Sequence, residues 1–545
     1  MPLGHAPGLE DAQQLSLADI SEALANIIAD RELPKLAYGG KYVMHAMRRA
    51  GMRLEGLAFD AQVAAWVLGE TSSTLEALVN ERLGIEITPV SSLGGTGRKA
   101  TPLAQVAIET VSEHACAAAD MLMRLRPVLE AQIDERNQRE LLENMEMPLV
   151  PVLFKMEHTG IALDVGVLRD LDSTMSKDIA RAEREIYEAV GHEFNIGSPK
   201  ALSDVLFNEL GLPKSRKTTQ GYSTDQRSLE GLRDAHPVVN LIFEYRQLTK
   251  LKSTYLDALP ATVSEEDGRV HTDFQQTVAA TGRLSSTNPN LQNIPVRSEI
   301  GANIRRAFVA SYFDDPLFVA ADYSQIELRV LAHVTEDKGL IDAFLADEDI
   351  HRATAATVYN VKPEDVTRQM RDLAKVVNFG IVYGMSEFGL SSRTELSREE
   401  AADFINTYYT KYPKIRDWQQ ATLDSTRQHG YAATIFGRRR YLPAIHSSNF
   451  QVRSAAEREA VNMPIQGTAA DIIKLAMIDV DEALRERELQ SRMLLQVHDE
   501  LIFECPSDES DSIRDLSLEI MPGKLEMKVP LKVEVKRGRN WGELE

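Results

Sequence analysis

The stretch RDLAKVVNFGIVYG sets Arg371, Lys375, Phe379 and Tyr383 four residues apart, and that spacing predicts one helix carrying all four along a slowly turning stripe. Two cations followed by two flat aromatics can grip a nucleotide. The cations meet a triphosphate, the rings stack on base or sugar, and Gly380 and Gly384 leave room for close approach. A plain amphipathic helix with snorkelling cations and core aromatics has the same pattern, so the flanking segments must decide.

Upstream, LFVAADYSQIELRVLAHV begins as an apolar, β-branched run and changes to helical spacing at Ile326, Leu328 and Leu331. This places Asp322 at a strand end, facing whatever lies above the sheet. Downstream, MLLQVHDELIFEC holds two apolar runs split by His498, Asp499 and Glu500, the pattern of a hairpin with acids at its tip. A carboxylate wedged between strand-like runs is costly if buried unpaired, and a bound metal would resolve that cost. Two carboxylates from separate strands beside a cationic helix are the parts that two-metal phosphoryl chemistry requires. Mg²⁺ keeps most of its coordination sphere for water and phosphate, so two aspartates suffice. Either acid alone would more commonly cap a turn or a following helix.

In order along the chain, DYSQIELR, the 371–383 helix and QVHDE resemble the three polymerase motifs of family A DNA polymerases of the bacterial polymerase I type. The segments TGRLSSTNPNLQNIPVR, DIHRATA and EREAVNMPIQGTAADIIK add to the resemblance, which covers residues 141–545 and continues more weakly through 1–140. It implies an α+β multidomain fold, a right hand with an antiparallel-sheet palm, helical fingers and a helical thumb, plus a degenerate α/β exonuclease-like domain at the N-terminus. The expected divisions are 1–140 exonuclease-like, 141–240 thumb, 241–330 first part of the palm, 331–454 fingers and 455–545 the rest of the palm. The interval 241–330 alternates apolar and polar residues, as the opening of a palm sheet would.

The activity implied is template-directed extension of a primer 3′-OH with dNTPs, releasing pyrophosphate, with two Mg²⁺ ions for which Mn²⁺ can substitute. By resemblance, Asp322, Asp499 and the backbone carbonyl of Tyr323 hold the metals, and Glu500 is a nearby third acid. Arg371 and Lys375 hold the triphosphate, Lys375 also serving as general acid for pyrophosphate departure, and His351 assists at the phosphates. Gln325 and Glu327 line the dNTP site, Phe379 stacks near the incoming sugar and base, and Tyr383 sits at the fingers hinge. Arg283, Arg458, Asn462 and Gln466 contact primer–template through minor-groove acceptors and backbone, with His498 by the primer terminus. Glu327 carries two readings. With Ser324 it spells S-x-x-E, a capping box at a helix start, and in the family the glutamate also excludes the ribose 2′-hydroxyl.

Composition resists in one respect: 82 acids against 61 Lys and Arg give a net charge of −21, a poor start for a nucleic-acid binder. Placement counts for more than the sum. Cations cluster at Lys214, Arg216 and Lys217, at Lys250 and Lys252, and at Arg438, Arg439 and Arg440, and are read as either a basic cleft or solvated loops. Cys116 and Cys505 alone, far apart, argue for a reducing compartment and against a disulfide scaffold. With no long apolar span and no signal-peptide pattern, the chain is expected to be cytoplasmic, nucleoid-associated and monomeric, with primer–template DNA and dNTPs as partners and no membrane.

The family often carries a proofreading 3′–5′ exonuclease built on metal-binding acids, and here those acids are missing. Glu10 and Asp11 lie in a polar stretch instead of an opening Asp-x-Glu strand. Lys41, Tyr42, Val43 stand where the family has Lys-Tyr-Asp, and Val111 and Ala115 stand where it has a late Tyr and Asp. No proofreading and no 5′-nuclease domain are expected. The patch SSLGGTGRK lacks phosphate-loop spacing and reads as a loop. Two rivals stand beside the polymerase: a single-subunit RNA polymerase, against which Glu327 argues, and a non-enzymatic DNA-binding scaffold, which would not keep both aspartates.

Overall fold

In a computed structural model, residues 4–5, 14–70, 74–95, 97, 100–219, 221–296, 298–394 and 396–544 are described. Glu10 and Asp11 lie outside them. The strand expected to end in Asp322 runs over Pro316–Tyr323, and its apolar residues Phe318, Val319, Ala320 and Ala321 are at most 2% exposed, the burial that a β-branched and aromatic run seeks. It is internal in a four-stranded sheet ordered Arg492–Val497, Glu500–Pro506, Pro316–Tyr323, Val533–Gly538. The first two strands form the expected hairpin, antiparallel with Val497 opposite Glu500, so only His498 and Asp499 make the turn. His498 takes the left-handed conformation, φ 54°, that such a tight reversal demands.

Helix Phe450–Glu486 packs on helix Ile326–Thr335 and buries a small-residue and apolar face that includes Ala469, Ile472, Ala476 and Val480. Asn449 caps it, accepting from the amides of Gln451 and Val452. From Val319 to Lys536 these elements belong to one compact unit, which also takes in the described residues up to Thr159 and Asp273–Thr287. Its N-terminal part holds a two-stranded parallel sheet, Lys35–Ala37 with Leu57–Asp60. Its core includes Leu78, Leu125, Leu129 and Ile133. The 91–99 patch contains a short turn at Val90–Ser92 and no phosphate-loop helix; residues 96, 98 and 99 lie outside the described ones.

The second unit comprises Gly160–Thr272, Asn288–Phe318 and the chain from Arg537. Helices Val165–Val190 and Pro237–Leu251 pack together over Ile186, Leu206, Phe207, Val238 and Ile242. The alternation read from residue 241 onward is therefore wrong for its first part: 241–256 is helical, because Ile242, Leu248 and Leu251 face one packed side. Ile161–Leu163 lies between Arg269–Val270 and Phe308–Val309 in an antiparallel three-stranded sheet.

The cation clusters differ in fate. Lys214, Arg216, Lys217 and Lys250 are exposed, while Lys252 donates to Asp257 at 2.8 Å and also pairs with Asp172. Arg438 overturns the reading of GRRRY as a surface cation cluster. It is 3% exposed, pairs with Glu146 and with Asp471 at 2.6 Å, and shares Glu146 with Lys474 at 2.8 Å. Trp66 lies 4.8 Å from both cations and closes this buried group of four charges. Buried cations need buried acids, and the sequence offers no local sign of partners so distant.

Candidate active site

The two aspartates meet through the backbone. The Tyr323 N–H donates to the Asp499 carbonyl at 3.1 Å, which ties the end of one strand to the turn of the hairpin beside it. Asp322 opens toward solvent, yet desolvation by the surrounding protein pushes its pKa up to about 6, with Glu534 on the adjoining strand adding to the rise and Lys536 opposing it. Asp499 is pushed up to about 7, first by burial, with Arg283 opposing and Glu327 and Asp322 adding to the rise. Asp499 Oδ1 is buried without a hydrogen-bond donor, and its nearest cation is the Arg283 guanidinium at 4.0 Å. Such an orphaned oxygen beside a second raised carboxyl is the donor set a hard divalent cation takes. Glu500 opens the second hairpin strand next to them.

Glu327 does not cap its helix. Gln325 occupies the cap in the left-handed region, φ 55°, without a side-chain bond, and the Ser324 N–H donates to the Lys532 carbonyl, so the S-x-x-E capping box is not formed. The Glu327 side chain instead points into the site, 3% exposed, where it accepts from Arg283 at 2.5 Å and from the Tyr383 hydroxyl at 2.7 Å. Burial and then Glu327 raise the Tyr383 pKa well above that of a free phenol, so the hydroxyl stays a donor. Gln325 Oε1 is also buried without a partner. Arg329, which the sequence reading passed over, donates to the carbonyls of Ser324 at 2.9 Å and Pro530 at 2.7 Å and so fixes this turn.

The stripe helix runs over Arg368–Val382, capped by Thr367, with Tyr383 closing it and Gly384 at φ 65°. A Cβ at Gly384 would lie 3.2 Å from the Arg458 side chain, and one at Gly380 would meet Met385 at 2.8 Å, so both glycines serve packing within the protein. Arg371 pairs with Asp349 at 2.6 Å, Lys375 is half-buried, and the Phe379 ring lies 5.7 Å from that of His351. His351 is only 2% exposed. Arg458, Asn462 and Gln466 follow one face of helix Phe450–Glu486. Asn462 Nδ2 donates to Gln466 at 3.3 Å, and Asn462 Oδ1 is buried unpartnered. One group thus unites Asp322, Asp499, Glu327, Arg283 and Tyr383, and a second unites His351, Arg371 and Phe379, with Tyr383 at the end of the helix that carries the latter pair.

An α+β fold with paired strand-end acids beside a cationic helix is the build of a nucleic-acid polymerase, and similarity to known proteins resolves the class further. The sequence model of DNA polymerase family A matches residues 165–543, and a 3′-5′ exonuclease model matches residues 10–134. The chain belongs to DNA polymerase family A. It is 44% identical over 554 residues to DNA polymerase I of Chloroflexus aurantiacus, covering 100% of this chain and 58% of that protein. It is 44% identical over 524 residues to DNA polymerase I of Bacillus subtilis, covering 96% of this chain and 59% of that protein. It therefore spans less than two thirds of the length of these relatives. The POL domain of Pol1 from M. smegmatis, solved in complex with DNA primer-template and dNTP, superposes with a TM-score of 0.88 at 41% identity, over 96% of this chain and 89% of that one.

Proposed function

We propose that the chain is a template-directed DNA polymerase that extends a primer 3′-OH with dNTPs and releases pyrophosphate, in replication or repair. The observation that carries this reading is the backbone stitch from Tyr323 to Asp499, which brings two raised carboxyls together with one oxygen left unpaired. Asp322, Asp499 and the Tyr323 carbonyl would hold two Mg²⁺ ions, or Mn²⁺ in their place, with Glu500 nearby. When bound, the ions lower the pKa of the attacking hydroxyl and stabilise charge at phosphorus and the leaving oxygen. Arg371, steadied by Asp349, and Lys375 bind the triphosphate, and Lys375 hands a proton to departing pyrophosphate. Phe379 and Tyr383 bound the sugar and base, and Glu327, pinned from two sides, fills the space a ribose 2′-hydroxyl would need. Arg283, Arg458, Asn462, Gln466 and His498 face primer–template DNA.

The five-part division into exonuclease-like, thumb, palm, fingers and palm segments belongs to the same proposal, as do a monomeric state and a cytoplasmic, nucleoid-associated place of work. Among the described residues no helix is long and apolar enough to cross a membrane. We also propose that the chain does not proofread, although its N-terminal region resembles a 3′-5′ exonuclease. Val43 packs against the apolar core, Lys41 is held by Asp273 at 2.7 Å, and Val111 and Ala115 sit on helix Ile108–Glu135 without an acid to offer.

Extension of a labelled DNA primer with Mg²⁺ and dNTPs, run beside Asp499→Ala and with a mismatched 3′ end, tests both parts. Extension abolished by the substitution supports the polymerase, and no extension by the parent favours the scaffold. Removal of the mismatch would overturn the absence of proofreading.

A further inference from the structure

Asn378 takes no part in the reading above, yet it is 1% exposed on the stripe helix, which packs against helix Ile350–Val358. Its amide carbonyl accepts from the Thr354 hydroxyl at 3.2 Å, and its amide nitrogen faces His351 Nδ1 at 2.8 Å. An amide nitrogen can only donate, so Nδ1 must present its lone pair, and the single ring proton of His351 then sits on Nε2. Burial favours the same neutral form: it holds the His351 pKa down to about 4, with Asp349 opposing and Lys375 and Arg371 adding to the fall. Asp349 belongs to the same device: it caps the His351 amide at 3.0 Å with one oxygen and holds Arg371 at 2.6 Å with the other.

We propose that Asn378, steadied by Thr354, is a positioning residue that locks His351 in its neutral Nε2–H form, so that His351 meets a triphosphate as a hydrogen-bond donor and not as a third cation. The inference rests on the assignment of Arg371, Lys375 and His351 to the triphosphate. A neutral donor adds direction to the grip without adding charge that departing pyrophosphate would have to leave behind.

Ring-¹⁵N-labelled histidine in the whole chain, followed by long-range proton–nitrogen correlation from about pH 6 to pH 8, reads the tautomer directly. The His351 signal is identified by its loss in His351→Gln. A pyridine-type Nδ1 with a pyrrole-type Nε2, unchanged across that range, is expected. A protonated Nδ1 or an averaged ring in the parent overturns the lock. Asn378→Asp, nearly isosteric, should draw a proton to Nδ1, and Asn378→Leu should release the ring. Each should raise KM for dNTP about fivefold, the worth of one hydrogen bond, with kcat changed less. An unchanged KM in both variants, with melting temperatures matching the parent, overturns the positioning role. The tautomer is read without DNA or nucleotide, so an intact lock in a chain that fails to extend a primer would sink the functional reading alone.

Discussion

The Tyr383 hydroxyl donates to Glu327 at 2.7 Å, joining the end of the stripe helix to the first turn of the helix that follows Asp322. Arg283 holds the other carboxylate oxygen at 2.5 Å, so Glu327 cannot swing away from the space it fills. Glu327→Ala is expected to raise the relative kcat/KM for ribonucleotides by about 10- to 200-fold. Tyr383→Phe, which removes one of these two restraints, should move it the same way by less. Single-nucleotide insertion with matched NTP and dNTP measures both, and unchanged sugar selectivity in Glu327→Ala would remove the gate.

Metal binding should depend on pH in a defined direction. The pKa values of Asp322 and Asp499, about 6 and about 7, lie above that of an unfolded aspartate, so the folded protein holds these protons more tightly than the unfolded chain does. Protons therefore compete with the cation, and Mn²⁺ affinity measured by calorimetry should fall as pH drops from about 8 to about 6. Without metal the sign reverses for stability: the two charges form at a cost as pH rises from about 4 through 7. Asp499→Asn should then melt higher than the parent at about pH 8 in chelator and level with it near pH 4. A parent that gains metal-free stability relative to this variant as pH rises would contradict the raised pKa.

In the proposed function, Phe379 would offer the incoming nucleotide an edge with no hydroxyl. The parent is expected to discriminate against dideoxynucleotide terminators and Phe379→Tyr to accept them more readily, by at least about fivefold in relative kcat/KM, the value of one hydrogen bond. Competition between dNTP and ddNTP in primer extension measures this. Equal terminator use by both proteins would refute it.

Trp66 lies over Arg438 and Lys474, whose acids Glu146 and Asp471 have no exposed side-chain surface. Trp66→Ala should cost about 3–5 kcal/mol, since it opens a cavity above buried charges. Glu146→Gln should cost a comparable about 3–5 kcal/mol by leaving cations uncompensated. Urea unfolding reads both, and a loss under about 1 kcal/mol in either would show that the group contributes little to stability.

Period and punctuation made the elements that carry the candidate site legible. The strand before Asp322, the hairpin around Asp499 and the helix bearing Arg371 and Phe379 each announce themselves within about a dozen residues. Glu327 was legible as a site residue but not in its local role, because S-x-x-E describes a cap only where the preceding backbone is extended, and Gln325 is left-handed. Asp349, Asn378 and Arg329 were missed because each acts through a partner brought close by packing or by a turn, which no local spacing reveals. Arg438 was misread for the same reason: a run of three arginines looks alike in solvent and over a buried acid.

Glu146 and Lys474 stand 328 positions apart in the chain. During synthesis at about 5–20 residues per second, the acid leaves the ribosome roughly 15–65 s before the lysine that, with Arg438, neutralises it. Through that interval the N-terminal segment must stay open around Glu146 or hold it protonated, so its final closure waits for the far end of the message. A translational pause between the two codons would lengthen the exposure of this segment to proteases and chaperones.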